Sequence, residues 1–96
     1  MLFTLANSPQ SCDLTAFLRL VGPQDALLLV QDGVLAAVKN SEASKCLTAW
    51  GLPVYVLSED LAARGLIGQI LHSTTLIDYT GFVALTEKHP QHIAWR

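Results

Sequence analysis

The amino-acid sequence predicts a small three-layer α/β domain in which a five-stranded, mainly parallel sheet carries helices on both faces. Short apolar segments alternate with amphipathic segments along the chain, which is the pattern of parallel strands joined by right-handed crossover helices. One apolar segment, Ala26–Val30, shows no alternation with polar residues. Because an unbroken apolar run is typical of a strand buried on both faces, we expect this segment at the centre of the sheet.

The first part of the chain predicts a strand followed by a helix. The strand covers residues 2–6, and Ser8 and Pro9 then offer a helix cap and a first-turn proline. Gly22 and Pro23 end the helix. Its inward stripe has the spacing i, i+3, i+4 and i+7 and consists of Leu14, Phe17, Leu18 and Val21.

Two helical segments are predicted between the central strand and the third strand. Asp32 and Gly33 form a turn or a cap, and a short helix begins at 34–38. A second helix covers Glu42–Trp50 and ends at Gly51, the residue type that most often terminates a helix. Its apolar stripe consists of Ala43, Cys46, Leu47 and Trp50.

The third strand is predicted at Val54–Leu57, where β-branched and aromatic residues cluster. Ser58 is the expected cap of a helix about two turns long that stops at Gly65. Residues 66–73 show no clear pattern, and the fourth strand follows at Thr74–Ile77.

The last predicted helix begins at Asp78 and ends before Pro90, and the fifth strand covers His92–Trp95. A helical spacing of three and four residues predicts one inward stripe on this helix, made of Tyr79, Phe82, Val83 and Thr86.

The composition is more apolar than that of a typical free-standing domain. Of the 96 residues, 51% are hydrophobic and only 15% are charged, and the mean hydropathy is +0.38. With no linker or internal repeat, the chain is predicted to be a single domain, 1–96, and such a small domain cannot bury all of this apolar surface. We therefore expect a subunit that covers part of its surface with partner chains, and that self-associates when they are missing.

Charge and segment lengths exclude other classes. The net charge is −2 and the six basic residues are scattered, so no nucleic-acid footprint is present. No apolar run approaches the ~20 residues of a transmembrane helix, and the start of the sequence lacks the pattern of a signal peptide. We expect a cytoplasmic protein that does not bind membranes, with Cys12 and Cys46 as free thiols.

The two cysteines differ as candidates for chemistry. Cys12 falls in the first turn of the first predicted helix, where helix N-termini lower the pKa of a thiol, so it is a candidate persulfide carrier. The alternative is an ordinary half-exposed cysteine without a basic neighbour in sequence. Cys46 shares its stripe with Leu47 and Trp50 and is predicted to be a small core residue.

Other polar residues give weaker signals. The spacing of His72, His89 and His92 matches no metal motif, so we expect neither a metal site nor a cofactor. Asp32 either caps a helix or points a carboxylate into a cleft at the sheet edge. Asp60 and Arg64 have the spacing of a solvated helical ion pair.

Asp78 and Tyr79 follow the fourth predicted strand and could serve a site or an interface, although Tyr79 also fits the core stripe of its helix. No Gly-rich nucleotide motif and no G-x-S-x-G motif is present, so nucleotide-binding and α/β-hydrolase functions lack their usual marks.

Several segments together resemble one family. They are Leu27–Ala37, Glu59–Gly65, Gly68-Gln69 and above all Leu76–Trp95, with its Asp-Tyr-x-x-Phe-Val-x-Leu-Thr-x-x-His pattern and final Ala-Trp. This chain resembles the TusB/DsrH family of sulfur-relay proteins, and its TusB branch in particular. The resemblance runs nearly end to end and implies a DsrEFH-like fold.

The resemblance also implies a function. Members of the family assemble with related C- and D-type subunits into a hetero-hexamer, which relays persulfide sulfur to a downstream carrier for 2-thiolation of the tRNA wobble uridine. The sulfur-carrying cysteine of that scheme belongs to the D-type subunit. A cysteine in the first helix of DsrH-like relatives would fall nearer Phe17 than Cys12, so neither Cys12 nor Cys46 matches a family thiol.

Three functions follow from these observations. The first is a non-catalytic scaffold or docking subunit of a sulfur-relay complex. The second is a sulfurtransferase that carries persulfide on Cys12 itself. The third is a small-ligand binder at a cleft beside Asp32.

Overall fold

The computed structural model describes residues 1–9 and 14–95. Five strands alternate with helices along these residues, as the sequence predicts. The strands are β1 (Leu2–Leu5), β2 (Ala26–Leu29), β3 (Val54–Leu57), β4 (Thr74–Ile77) and β5 (His92–Trp95). The α-helices are α1 (Leu14–Leu20), α2 (Glu42–Trp50), α3 (Ser58–Ala63) and α4 (Tyr79–Lys88). Two 3₁₀ helices cover Gln31–Ala37 and Ile67–Gln69.

The strands form one sheet in the order β4-β3-β2-β1-β5, and every strand pair in it is parallel. The apolar strand β2 lies in the middle, and all four of its residues are buried. The predicted parallel sheet with a central Ala26–Val30 segment is therefore confirmed, with β2 itself ending at Leu29.

The larger core lies on the sheet face that α1, α2, α3 and the first 3₁₀ helix cover. Phe17 of α1 is fully buried at its centre and meets Phe3 edge-on, with ring centroids 6.0 Å apart. Trp95 of β5 also packs against Phe17, with ring centroids 5.2 Å apart. The Trp50 indole Nε1 donates to the Leu18 carbonyl over 3.1 Å and joins α2 to α1. The larger-core side chains of β1, β2 and β3 are thus covered by these helices.

The opposite face carries a smaller core, which α4 covers. Leu2, Ala26 and Leu28 are buried there, and Phe82 and Leu85 of α4 pack against them. Helices therefore lie on both faces of the sheet, as predicted.

The predicted stripe of α4 is wrong in part. Phe82 packs inward as predicted, but Tyr79 and Val83 are each 55% exposed, and Leu85 takes the second inward position. The segment 79–86 is uncharged all round, so its sequence permits more than one inward stripe, and contact with the sheet decides between them.

Two helix starts also differ from the prediction. The helix after β2 is a 3₁₀ helix that begins at Gln31, whose φ of 50° is left-handed, rather than at Val34. α3 begins at Ser58, and Leu57 occupies the cap position without a side-chain bond. Ser58 is a helical residue here because β3 runs into α3 with no residue between them.

Candidate functional site

The carboxyl ends of the five parallel strands meet at one edge of the sheet, where open α/β folds place their sites. β3 continues into α3 on the larger-core side, whereas β4 leads through Asp78 into α4 on the opposite side. Adjacent strands whose connections diverge in this way open a crevice between them. Glu59 and Tyr79 stand at the two sides of this crevice.

The crevice is closed by acidic side chains of the chain itself. Glu59 Oε2 accepts a bond from the Tyr79 amide at 3.2 Å, and Glu59 Oε1 accepts one from the Ser58 hydroxyl at 3.2 Å. Asp78 Oδ1 caps α4 by accepting from the Gly81 amide at 2.9 Å. A carboxylate is favourable at a helix N-terminus. Glu59 thus joins the starts of α3 and α4, while Asp78 caps α4 alone.

Asp32 follows β2 at the same edge of the sheet, and neither of its predicted roles is seen. The cap position of the 3₁₀ helix is Val30, which makes no side-chain cap bond. Asp32 Oδ1 instead accepts from Arg64 Nε and Nη2, at 3.2 and 2.9 Å. Its side chain is 62% exposed, so it forms a surface ion pair between two connections of the sheet.

The predicted pair of Asp60 with Arg64 is wrong at the level of side chains. Asp60 Oδ2 accepts from the Gln31 amide at 2.6 Å, and Arg64 Nη1 donates to the Asp60 backbone carbonyl at 3.0 Å. The left-handed Gln31 turns its amide toward Asp60, and Arg64 is drawn across to Asp32. Asp60 and Arg64 thus each bond a residue of the connection after β2 instead of pairing with each other through their side chains.

Cys46 lies on α2, where it packs against the larger core but is only partly buried. It lines a groove of about 550 Å³ and, on its other side, a second groove of about 520 Å³. The first groove is also lined by Ser8, Pro9, Leu14, Leu35, Ser41, Glu42 and Ala43. The predicted small core residue is thus at the border of the core, with access to solvent space.

Cys12 lies outside the described residues. In sequence it falls between Pro9 and Leu14, which line the groove beside Cys46. Its role as a persulfide carrier remains a prediction.

The histidines lie in different surroundings. His72 is exposed, while His92 of β5 shares a bond of 3.0 Å between its Nε2 and the buried Thr4 hydroxyl. Within 1–9 and 14–95, no three His, Cys, Asp or Glu side chains are grouped as metal ligands. No helix in those ranges is long and apolar enough to cross a membrane.

The outer side of α4 carries two large hydrophobic side chains that are exposed. Tyr79 and Val83 lie four residues apart on it, both 55% exposed. Every residue from Tyr79 to Thr86 is uncharged. Glu87 and Lys88 follow in the last turn. The sheet covers only the inner side of α4, so Tyr79 and Val83 are left exposed. The interface role considered for Tyr79 therefore fits its position, whereas the core role does not.

Comparisons with known proteins agree on the family and on the fold. A family model described as DsrH like protein matches residues 7–92. Protein TusB of Yersinia enterocolitica is 54% identical over 95 residues, which cover 99% of this chain and 100% of that protein. Protein TusB of Yersinia pestis is 52% identical over the same shares of both chains.

Among solved structures, the YchN protein of E. coli superposes with a TM-score of 0.75 at 15% identity, covering 98% of this chain and 97% of that one. Protein MTH1491 of Methanobacterium thermoautotrophicum gives 0.69 at 18% identity, over 98% and 96%. These two likenesses show the fold.

Proposed function

The chain belongs to the DsrH-like family, and on that premise we propose that it is a non-catalytic docking subunit of a sulfur-relay complex. In this proposal it assembles in the cytoplasm with related C- and D-type subunits into a hetero-hexamer. The complex passes persulfide sulfur to a downstream carrier, toward 2-thiolation of the tRNA wobble uridine.

The observation that carries the docking role is the outer face of α4. Tyr79 and Val83 present an uncharged surface that the described part of the chain does not cover. Interfaces favour aromatic side chains at their centre and exclude charge there. A related subunit that covers this face would complete the burial that α4 has only on its inner side.

The sulfur chemistry is assigned to another chain. Cys46 is a residue of α2 that packs against the larger core. A persulfide on its sulfur would have to extend into one of the two flanking grooves. Docking the subunit that carries the sulfur requires only a surface complementary to that subunit. The alternative, in which persulfide forms on Cys12, differs because it requires a thiol of this chain.

The docking proposal is tested by Val83→Asp in the full chain. A carboxylate at the centre of an apolar interface loses its hydration without gaining a partner, so co-purification with the C- and D-type subunits should be lost. Because Val83 is exposed, the unfolding midpoint should stay within about 2 °C of the wild type. Retained co-purification of Val83→Asp would contradict this docking surface.

Ile67→Asp is the matched control. Ile67 is 49% exposed, close to the exposure of Val83, but it lies on the second 3₁₀ helix. This variant should still co-purify with both subunits. Loss of binding in both variants would indicate a general effect of added negative charge.

A further inference from the structure

The edge strand β4 is unprotected. It pairs with β3 on one side and has no second neighbour in the described sheet. Edge strands normally carry a charge, a proline or a bulge that prevents pairing with another chain. The four residues of β4, Thr-Thr-Leu-Ile, contain no charge, proline or glycine.

Leu76 is an exposed hydrophobic side chain on this edge strand. It is in register with Val56, so its side chain is on the larger-core face of the sheet. Nevertheless Leu76 is 41% exposed, whereas Val56 is fully buried. The helices of that face thus stop short of β4 and leave both its backbone and its leucine open.

We propose that β4 pairs antiparallel with β4 of a second copy of this chain, about a two-fold axis perpendicular to the sheet at Leu76. Residues directly opposite in an antiparallel pair share one face. When β4 pairs with β4 of a second copy, one residue lies on the two-fold axis, opposite the same residue of the second copy. With Leu76 there, the exposed leucines of the two copies cover each other, and Thr75 faces Ile77 of the second copy.

A second copy fits this edge because β4 carries no charge that would oppose self-pairing. The unpaired backbone groups of each strand are satisfied by the other. The other edge strand, β5, is a poorer candidate, since its His92 is bonded to Thr4 and its Trp95 is packed against Phe17.

The contact is small. A four-residue edge offers less than the roughly 800 Å² per partner of a standard interface. We therefore expect a dimer that dissociates at concentrations on the order of 10 to 100 µM. This contact uses the sheet edge and is separate from the outer face of α4.

Disulfide trapping tests the register directly. In a background with Cys12→Ser and Cys46→Ser, Leu76→Cys is oxidised with copper phenanthroline at about 50 µM protein. Opposite residues of an antiparallel pair have Cα atoms about 4.5 to 5.5 Å apart, within the range that a disulfide spans. A cross-linked dimer should form.

The matched control is Ile93→Cys in the same background. Ile93 is also 41% exposed but lies on β5, so it should cross-link at least about tenfold more slowly. Equal rates for the two variants, or none for Leu76→Cys, would overturn the proposal.

Sedimentation equilibrium provides a second measurement without oxidation. Leu76→Lys places two positive charges opposite each other at the axis, and like charges in that position oppose pairing. The dissociation constant should rise at least about tenfold, while Ile93→Lys should leave it unchanged. A wild-type chain that is strictly monomeric at about 200 µM would refute the contact.

The two proposals fail independently. Val83→Asp should block docking of the related subunits but leave cross-linking of Leu76→Cys intact. If Val83→Asp also abolished cross-linking, the second copy would be using α4 rather than β4, and the register proposed here would be wrong.

Discussion

Replacing Gly33 with alanine should destabilise the fold more than any other single methyl group added to a described glycine. A Cβ at Gly33 would lie 1.9 Å from the Leu5 carbonyl oxygen and 2.7 Å from its carbon, whereas real Cβ contacts stay beyond 3.0 Å. The 3₁₀ helix and the end of β1 would therefore have to separate by about 1 Å.

The surroundings oppose that separation. The Gly33 amide donates to the Ala6 carbonyl at 3.2 Å, and Val34, Ala36 and Ala37 behind it are fully buried. Overpacking costs about 1–3 kcal/mol, and a weakened backbone bond costs about 0.5–1.5 kcal/mol. The expected loss for Gly33→Ala is about 2–4 kcal/mol, which is a large share of the ~5–15 kcal/mol stability of a small domain.

Urea denaturation followed by circular dichroism measures this loss, at one fixed protein concentration because self-association would shift the midpoint. Gly68→Ala is the control, since a Cβ there has no neighbour within 4 Å, and it should change the unfolding free energy by less than about 0.5 kcal/mol. A Gly33→Ala variant as stable as Gly68→Ala would refute the close contact between the 3₁₀ helix and β1.

The remaining predictions concern single side chains. Cys46→Ala should leave sulfur relay intact and lower the unfolding free energy by about 1 kcal/mol through a small cavity; lost relay at unchanged stability would reassign Cys46. A Cys12→Ser, Cys46→Ser double variant should still support 2-thiouridine formation in cells where it is the sole copy; lost thiolation in an assembled complex would favour the Cys12 sulfurtransferase. Arg64→Gln should cost less than about 1 kcal/mol, because the Asp32 pair is exposed, and a larger loss in thermal unfolding would contradict this. The pKa of Asp25 is lowered from its ordinary value, chiefly because the Gly22 amide donates to its carboxylate; this stabilisation is present above the unfolded pKa and disappears as the pH falls through the folded pKa. Acid unfolding of Asp25→Asn should therefore lack this part of the pH dependence.

The strands could be predicted from the sequence because their signal is local. An unbroken apolar run as short as Ala26–Val30 is typical of a strand buried on both faces. The short strands β3 and β4 were equally clear, since each is bounded by turn or cap residues. Their order in the sheet was not predicted: β1 to β4 are neighbours in sequence order, but β5 pairs with β1 at the opposite edge from β4.

The side-chain partners at the carboxyl edge could not be predicted in the same way. Asp60 and Arg64 have ideal helical spacing, but their actual partners, Gln31 and Asp32, come from the connection after β2. An exposed helical pair gains only a few tenths of a kcal/mol, so a backbone amide or a better-placed carboxylate outcompetes it. The left-handed Gln31 that arranges this exchange has no signal in the sequence, because glutamine rarely adopts such a φ.

The prediction of which side of α4 faces the sheet was wrong in part for the opposite reason. Too many residues of the helix fitted the spacing of an inward stripe. In an ordinary surface helix, charged side chains mark the outer face, so the inward stripe can be identified by elimination. The segment 79–86 has no charge, and the charges of α4, Glu87 and Lys88, come only in its last turn. Contact with the sheet shows that Phe82 and Leu85 point inward.

The same part of the chain shows where some of the high apolar content is exposed. The larger core accommodates most of the buried side chains, but Leu76, Tyr79 and Val83 remain exposed within eight residues of sequence. If these side chains served the fold alone, polar residues at the same positions would be more soluble and equally stable. These hydrophobic side chains instead lie on an open strand edge and on an uncovered helix face. A second copy could cover the strand edge at β4, and a related subunit could cover the face of α4.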